Sequence, residues 1–214
     1  MADTDVVIRP PTASEQRRCE SLIREAFWDV YRPGCIEHLI WRRAMAGHPD
    51  ALPHLVLVAD RGGDLLGCTM STRAWVEAPD GLSRTPVVGV GPIGVVPGEQ
   101  CRGIGSRLME ATMDRARRDG ERAAFLFGAP AFYGRFGFQE ASRWGVTTAE
   151  GDNFPAFMAA ELVPHGLRGV SGRLIESPLL EVDESEVRDA DAAAEAPPTI
   201  TKRSEERRVG KECR

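Results

Sequence analysis

Residues 85–127 place the tightest constraint on the fold. The apolar run Thr85–Val96 is interrupted by Gly89, Gly91, Pro92 and Gly94, and a turn holding Pro97, Gly98, Gly103 and Gly105 follows it. Gly103–Arg118 then sets Ile104, Leu108, Met109, Thr112 and Met113 on one helical face, with Gly120 to end the helix. AAFLFG, residues 123–128, reads as a short buried strand. Strand, helix and strand in that order form a crossover, and a crossover joins parallel strands. One parallel pair is therefore expected around the 103–118 helix.

The remaining elements are hairpins and short pieces. Val6–Arg9 is a strand ahead of Pro10 and Pro11, and Thr12-x-x-Glu15 has the form of a capping box. It opens a helix with Cys19, Leu22, Ile23, Ala26 and Phe27 on one face, broken at Pro33-Gly34. A second helix carries Ile36, Leu39, Ile40 and Ala44 to an end near Gly47. HLVLVAD (54–60) and Leu65–Glu77, joined by RGGD, read as a hairpin. PAFYGRFGF (130–138) is a short helix or turn before a strand, and 157–162 and 170–175 supply two more strands. The result is a mixed sheet rather than a regular strand–helix alternation. The domain is expected over 1–176. Residues 177–202 read as a disordered acidic linker, since 181–201 holds little to bury. At 203–214 the composition changes abruptly, and RSEERRVGKECR resembles a translated sequencing adapter.

The glycine turn can hold an anion. The first N–H groups of a helix lack intrahelical partners and sit at the positive end of its dipole. Gly103 and Gly105 let backbone approach a phosphate, and Arg102 adds a charge that can fork to its oxygens. The same glycines also cap helices for purely structural reasons. Two rival phosphate motifs fail on spelling. A dinucleotide fingerprint needs glycine at 108, where Leu108 stands, and a Walker loop needs lysine. Every basic residue up to 201 is arginine, Lys202 and Lys211 being the two lysines, which also removes a Schiff-base lysine from the globular part. A net charge of −5 gives nucleic-acid binding no support. No apolar run of about 18 residues predicts a membrane span, and the acidic start lacks a signal peptide. The five cysteines, at 19, 35, 68, 101 and 213, read as free thiols of a cytoplasmic protein, and His48, His54 and His165 show no metal spacing.

V-x-P-x-x-Q-x-x-G-x-G, present as Val95, Pro97, Gln100, Gly103 and Gly105, resembles the acetyl-CoA motif of the GCN5-related N-acetyltransferases (GNAT). Y-x-R-x-G-F, present as Tyr133, Arg135, Gly137 and Phe138, resembles the stretch after that family's fifth strand. DLLGCTM and GVGPIGV fit its third and fourth strands, and FMAAELVPHGLRGVSGRL resembles a bacterial branch, the YhbS-like acetyltransferases. The likeness runs over roughly residues 5–176. It implies an α/β (α+β) fold with a mixed, mostly antiparallel sheet of six to seven strands, splayed at its centre and flanked by about four helices. It implies acetyl-CoA as cosubstrate, no metal, and transfer of the acetyl group to a primary amine of a small molecule or protein by direct attack. It permits a homodimer.

The resemblance also assigns roles. Ile93, Gly94 and Val95 would pair with the pantetheine arm, the Val95 N–H polarising the thioester oxygen. Gln100, Cys101, Arg102, Gly103, Ile104, Gly105 and Ser106 would form the pyrophosphate turn. Tyr133 matches the family's general acid: a phenol near pKa ~10 can reprotonate a thiolate near ~8.5 once the site is dry. The family's frequent glutamate on the fourth strand is missing, since Val87–Val96 holds no acid. Glu37 is the first candidate base, ahead of His38 and Glu77. The acceptor pocket would form around the link FWDVYRPG, whose Phe27, Trp28 and Tyr31 line it or pack the core. A silent acyl-CoA-binding module, a longer acyl group and transfer to oxygen stay open.

Overall fold

The computed structural model of the chain describes residues 5–31 and 33–193. One sheet contains β1 (Val7–Arg9), β2 (Leu57–Arg61), β3 (Asp64–Glu77), β4 (Arg84–Val95), β5 (Ala123–Phe127), β6 (Gln139–Glu140), β7 (Val146–Thr147), β8 (Phe157–Glu161) and β9 (Gly172–Ile175). The helices are α1 (Gln16–Phe27), α2 (Glu37–Met45), α3 (Ile104–Arg118), α4 (Pro130–Tyr133) and α5 (Glu184–Ala193). The strands run β1-β2-β3-β4-β5-β8-β6, while β9 pairs with both β3 and β7. The crossover through α3 makes β4 and β5 parallel, as the strand–helix–strand order requires. Besides that pair, β7–β9 is the parallel one among the described strands, and the other pairings are antiparallel. The count exceeds the expected six to seven because β6 and β7 are two residues each, too short to show alternation.

β3 organises the sheet. Its 14 residues span about 46 Å. That length lets β2 pair along residues 64–69 and β9 along 75–77 on the same edge. One face of the sheet is covered by α1 and α2. Cys19, Leu22, Ile23 and Ala26, at helical spacing, are the buried residues of α1. Cys19, Leu22 and Ile23 join Ile40 and Trp41 of α2 against Val58, Cys68 and Met70. On the other face Leu108, Met109, Met113 and Ala116 of α3 are buried. Two tethers fix the helices. Glu15 accepts the Thr12 N–H (2.7 Å) and takes a forked pair of bonds from Arg9 (2.6 and 2.9 Å). The Arg9 bonds, then the Thr12 N–H, hold the Glu15 carboxyl down to about 2. Arg73 of β3 forks to Glu121 just past α3, at 2.6 and 2.7 Å.

The chain stays packed beyond residue 176, which corrects the expected start of a disordered linker at 177. Ser177 Oγ donates to Asp50 at 2.8 Å, and Leu179 is 1% exposed in the core under α1 and α2. Arg43 donates to the Glu181 carbonyl and to the Glu186 carboxylate, which fastens α5. Leu179, Leu180, Val182 and Val187 are apolar residues scattered through an acidic stretch without a helical or strand period, so the sequence pattern gives no warning of the packing. Residues 194–202 of that linker and the adapter-like segment 203–214 lie outside the described residues. Cys19, Cys35 and Cys68 are free and buried.

Candidate active site

The site begins where β4 leaves β5. Their pairing is limited to Val88↔Ala124 and Gly89↔Phe125, although β4 continues to Val95 and β5 to Phe127. Two features bend β4 away. Met70 of β3 faces two residues of β4, Gly91 and Pro92, between the pairs Ser71↔Val90 and Thr69↔Ile93. This is a β-bulge, a place where a strand tolerates glycine and proline. Gly94 then lies under α1: a Cβ there would sit 2.8 Å from Ile23 Cδ1 and 3.3 Å from Ala26 Cβ. Glycine at 94 is what lets the helix press on the strand.

Alternation settles which backbone groups face the gap. The Val96 N–H donates to Leu66 of β3 at 2.9 Å. The preceding residue, Val95, therefore turns its N–H and C=O away from β3, toward the gap. Gln100 takes up that carbonyl, its Nε2 donating to Val95 O at 2.9 Å. The Gln100 side chain, expected on the cosubstrate, thus also braces the end of β4.

α3 opens at this end of the gap. Gly103 is its N-cap, in the left-handed region at φ 82°, and the first helical bond is Arg107 N–H to Gly103 O, 3.0 Å. The N–H groups of Ile104, Gly105 and Ser106 come before it and have no helical acceptor. A Cβ on Gly103 or Gly98 would meet nothing within 4 Å, so the space before the turn is open. Ile104 contributes backbone alone, since its side chain is 2% exposed in the core. Cys101, at φ 61°, makes the turn tight. Arg102 reaches Glu99 at 3.3 Å, and Arg61 meets the same carboxylate at 2.9 Å, which leaves two guanidiniums on one acid beside the helix start.

α4 closes the other wall. A Cβ on Gly105 would lie 3.7 Å from both Phe132 and Val95, so α4, the start of α3 and the end of β4 meet at one point. The Tyr133 ring covers Gly128: a Cβ there would come within 2.1 Å of Tyr133 Cε2. Phe132 (4.8 Å) and Phe138 (6.0 Å) hold that ring edge-on, and Arg135 lies over Phe132 at 4.3 Å. Tyr133, Val90 and Ile93 pack on one core cluster, on the α3 face of the sheet. Gly128 went unnoticed in the sequence. Its signal was a glycine five residues before a tyrosine across a proline-started turn.

Two of the candidate bases, Glu37 and His38, belong to α2, and the third, Glu77, to β3. Glu37 Oε2 accepts from Cys35 Sγ (3.2 Å) and from the Ile36 N–H (3.1 Å), which ties the carboxylate to the start of its own helix. Burial first, and then that carboxylate, push the Cys35 thiol up. His38 is 2% exposed inside α2. Glu77 pairs with Arg84 at 2.7 Å at the closed end of the β3–β4 hairpin. Ten strand residues separate Arg84 from Gly94, roughly 33 Å. A cavity of about 530 Å³ bounded by Glu77, Gly81, Thr147 and Arg173 opens at that same far end, away from the gap. Among the described residues no three His, Cys, Asp or Glu side chains gather as a metal site, and no helix is long and apolar enough to cross a membrane.

Residues 7–141 match the family model described as an acetyltransferase (GNAT) domain. No curated protein matches the chain. Among solved structures, the YhbS GNAT N-acetyltransferase of Escherichia coli, in complex with CoA, is 21% identical with a TM-score of 0.69, over 82% of this chain and 91% of that one. A GNAT acetyltransferase of Brucella melitensis, in complex with acetyl-CoA, is 22% identical with a TM-score of 0.65, over 82% and 98%. The ribosomal-protein-S18-alanine N-acetyltransferase of Escherichia coli is 17% identical with a TM-score of 0.52, over 74% and 95%. These likenesses show the fold.

Proposed function

Since the chain belongs to the GNAT acetyltransferase family, we propose that it transfers the acetyl group of acetyl-CoA to a primary amine across the β4–β5 gap. The observation that carries this reading is the convergence of three features. The α3 N-terminus opens at Gly103, the Val95 N–H faces the gap, and Phe132, the neighbour of Tyr133 in α4, reaches the point where α3 and β4 meet.

The cosubstrate supplies an activated thioester, and the chain's residues do the rest. The N–H groups of Ile104, Gly105 and Ser106 would hold the two phosphates, with the dipole of α3 behind them. Arg102 would trade part of its contact with Glu99 for an anion. Val95 would donate its N–H to the carbonyl oxygen, a contribution of roughly 10²–10³ in rate. Tyr133 Oη would pass its proton to the departing sulfur. Glu37 is spent on its own helix start, so the amine would lose its proton to solvent. An alkylamine near pKa 10.4 is about 0.04% neutral at pH 7, so kcat/KM should rise tenfold per pH unit until the amine titrates.

The test is Gly103→Arg. It fills the open seat before α3 and adds a strained left-handed residue, while the core is untouched. Calorimetry should show CoA affinity falling at least 100-fold with the circular dichroism spectrum preserved. Unchanged affinity would remove the turn from the site. CoA binding by the wild type with no thiol release across a broad panel of amines and peptides would make the chain a silent acyl-CoA-binding module.

A further inference from the structure

On the face of the sheet opposite Tyr133, the end of β5 carries an aromatic stack that the proposed transfer does not use. Side chains alternate along β5. Leu126 belongs to the core on the α3 face and Phe125 to the core on the other. Phe127 therefore points with Phe125. It lies two residues past Gly89↔Phe125, the last pairing with β4, and so stands at the wall of the gap. Antiparallel pairing sets Phe157 of β8 opposite it. Phe127 stacks on Phe157 at 5.0 Å and 20°, and on Phe154 at 5.9 Å and 27°. Phe157 is fully buried, whereas Phe127 is 43% exposed and Phe154 42%. The base of the stack is fixed in the core and its outer rings are open. Gly128 follows Phe127 directly, and its far side carries the Tyr133 ring.

The exposed part of the two rings comes to roughly 170 Å². A stable protein interface needs about 800 Å² per partner. The patch is far too small for that and matches one more ring. Its place also limits the guest: Phe127 stands on the strand that walls the gap, so a small guest on it lies beside the gap, on the face opposite Tyr133.

We infer that Phe127 and Phe154 form the acceptor platform of this site, and that the acceptor is an amine carrying a planar aromatic group, its ring stacked on the two phenylalanines and its amino group directed into the gap. The inference rests on the proposed acetyl transfer and names its substrate class. Phe127 and Phe154 select; Val95 and Tyr133 act on the reacting atoms.

The test compares 2-phenylethylamine with n-butylamine as acceptors for acetyl-CoA, read as thiol release. The wild type should favour the aromatic amine in kcat/KM by about tenfold or more, mainly through KM. Phe154→Ala should cut that preference roughly 3- to 10-fold, the worth of one aromatic contact, and Phe154→Leu should cut it as well, because apolar bulk without a ring does not stack. A wild-type ratio near one, or a ratio unchanged in both variants, overturns the inference while leaving acetyl transfer standing. CoA binding without turnover of either amine overturns it, and silence that extends across the broad panel of amines and peptides overturns the transfer as well. Failure to bind CoA at all sinks the proposed function first. A dimer in sedimentation that dissociates on Phe127→Asp assigns the patch to a second copy and overturns the inference.

Discussion

Alanine at 128 would put a methyl group 2.1 Å from Tyr133 Cε2, 2.6 Å from Cδ2 and 3.1 Å from Cζ. Ordinary contact begins at 3.4 Å, so the ring must retreat by about 1.3 Å. It has little room, because Phe132 and Phe138 hold it edge-on. Overpacking of this kind costs about 1–3 kcal/mol of stability. The larger effect should be on rate: a displacement of about 1 Å at an acting group can cost 10²-fold, or about 2.7 kcal/mol of barrier. The assay is thiol release from acetyl-CoA at saturating amine, with CoA affinity by calorimetry alongside. Gly128→Ala should lose about 10²-fold in kcat and keep CoA affinity within about threefold, since the turn at 103–106 is untouched. In a Tyr133→Phe background the further loss should be small, because the group being displaced no longer carries a proton. The full 10²-fold loss in that background would refute the reasoning, and so would a wild-type kcat in a Gly128→Ala enzyme whose crystal structure shows the ring moved.

Leu179→Ala should destabilise the protein by about 2–5 kcal/mol in chemical denaturation, the usual cost of emptying a buried leucine site; a loss below about 0.5 kcal/mol would mean that residues 177–180 do not belong to the core. The Glu15 carboxyl is held down to about 2 in the fold, against an ordinary value of 4.5. Its contribution is thus present above pH about 4.5 and is lost as pH falls from there toward about 2. Glu15→Gln should flatten the acid side of the melting-temperature profile and narrow the gap to wild type at pH 3, and parallel profiles would remove this tether from the acid response.

The parts of the fold that repeat a period were legible and the parts that depend on one contact were not. The α1 face with Cys19, Leu22, Ile23 and Ala26 and the α3 crossover follow from spacing alone. The packing of Leu179 does not, because the few apolar residues of that acidic stretch follow no period. At the site, the sequence placed Gln100 beside the turn but could not show that its amide points back to Val95. It offered Glu37 as an acid near a pocket, while a carboxylate's hydrogen-bond partners are a matter of rotamer and local backbone. Glu77 stood on the right strand and at the wrong end of it, a distance that only the hairpin register reveals. Phe127 and Phe157 lie 30 positions apart, and the β5–β8 register is what stacks them, with Phe154 brought on by the turn before β8.

An open strand border in the middle of a sheet is a hazard, since any extended chain can dock along it and seed aggregation. Here the border running from Val90 to Val95 is irregular. Its bulge offsets the spacing of donors and acceptors, and Pro92 offers no N–H to either neighbour. A foreign peptide needs a long, evenly spaced ladder and meets a broken one. A slender, flexible guest that asks for two or three bonds is not hindered by the break, so the same kink that makes room for the right molecule turns the wrong kind away.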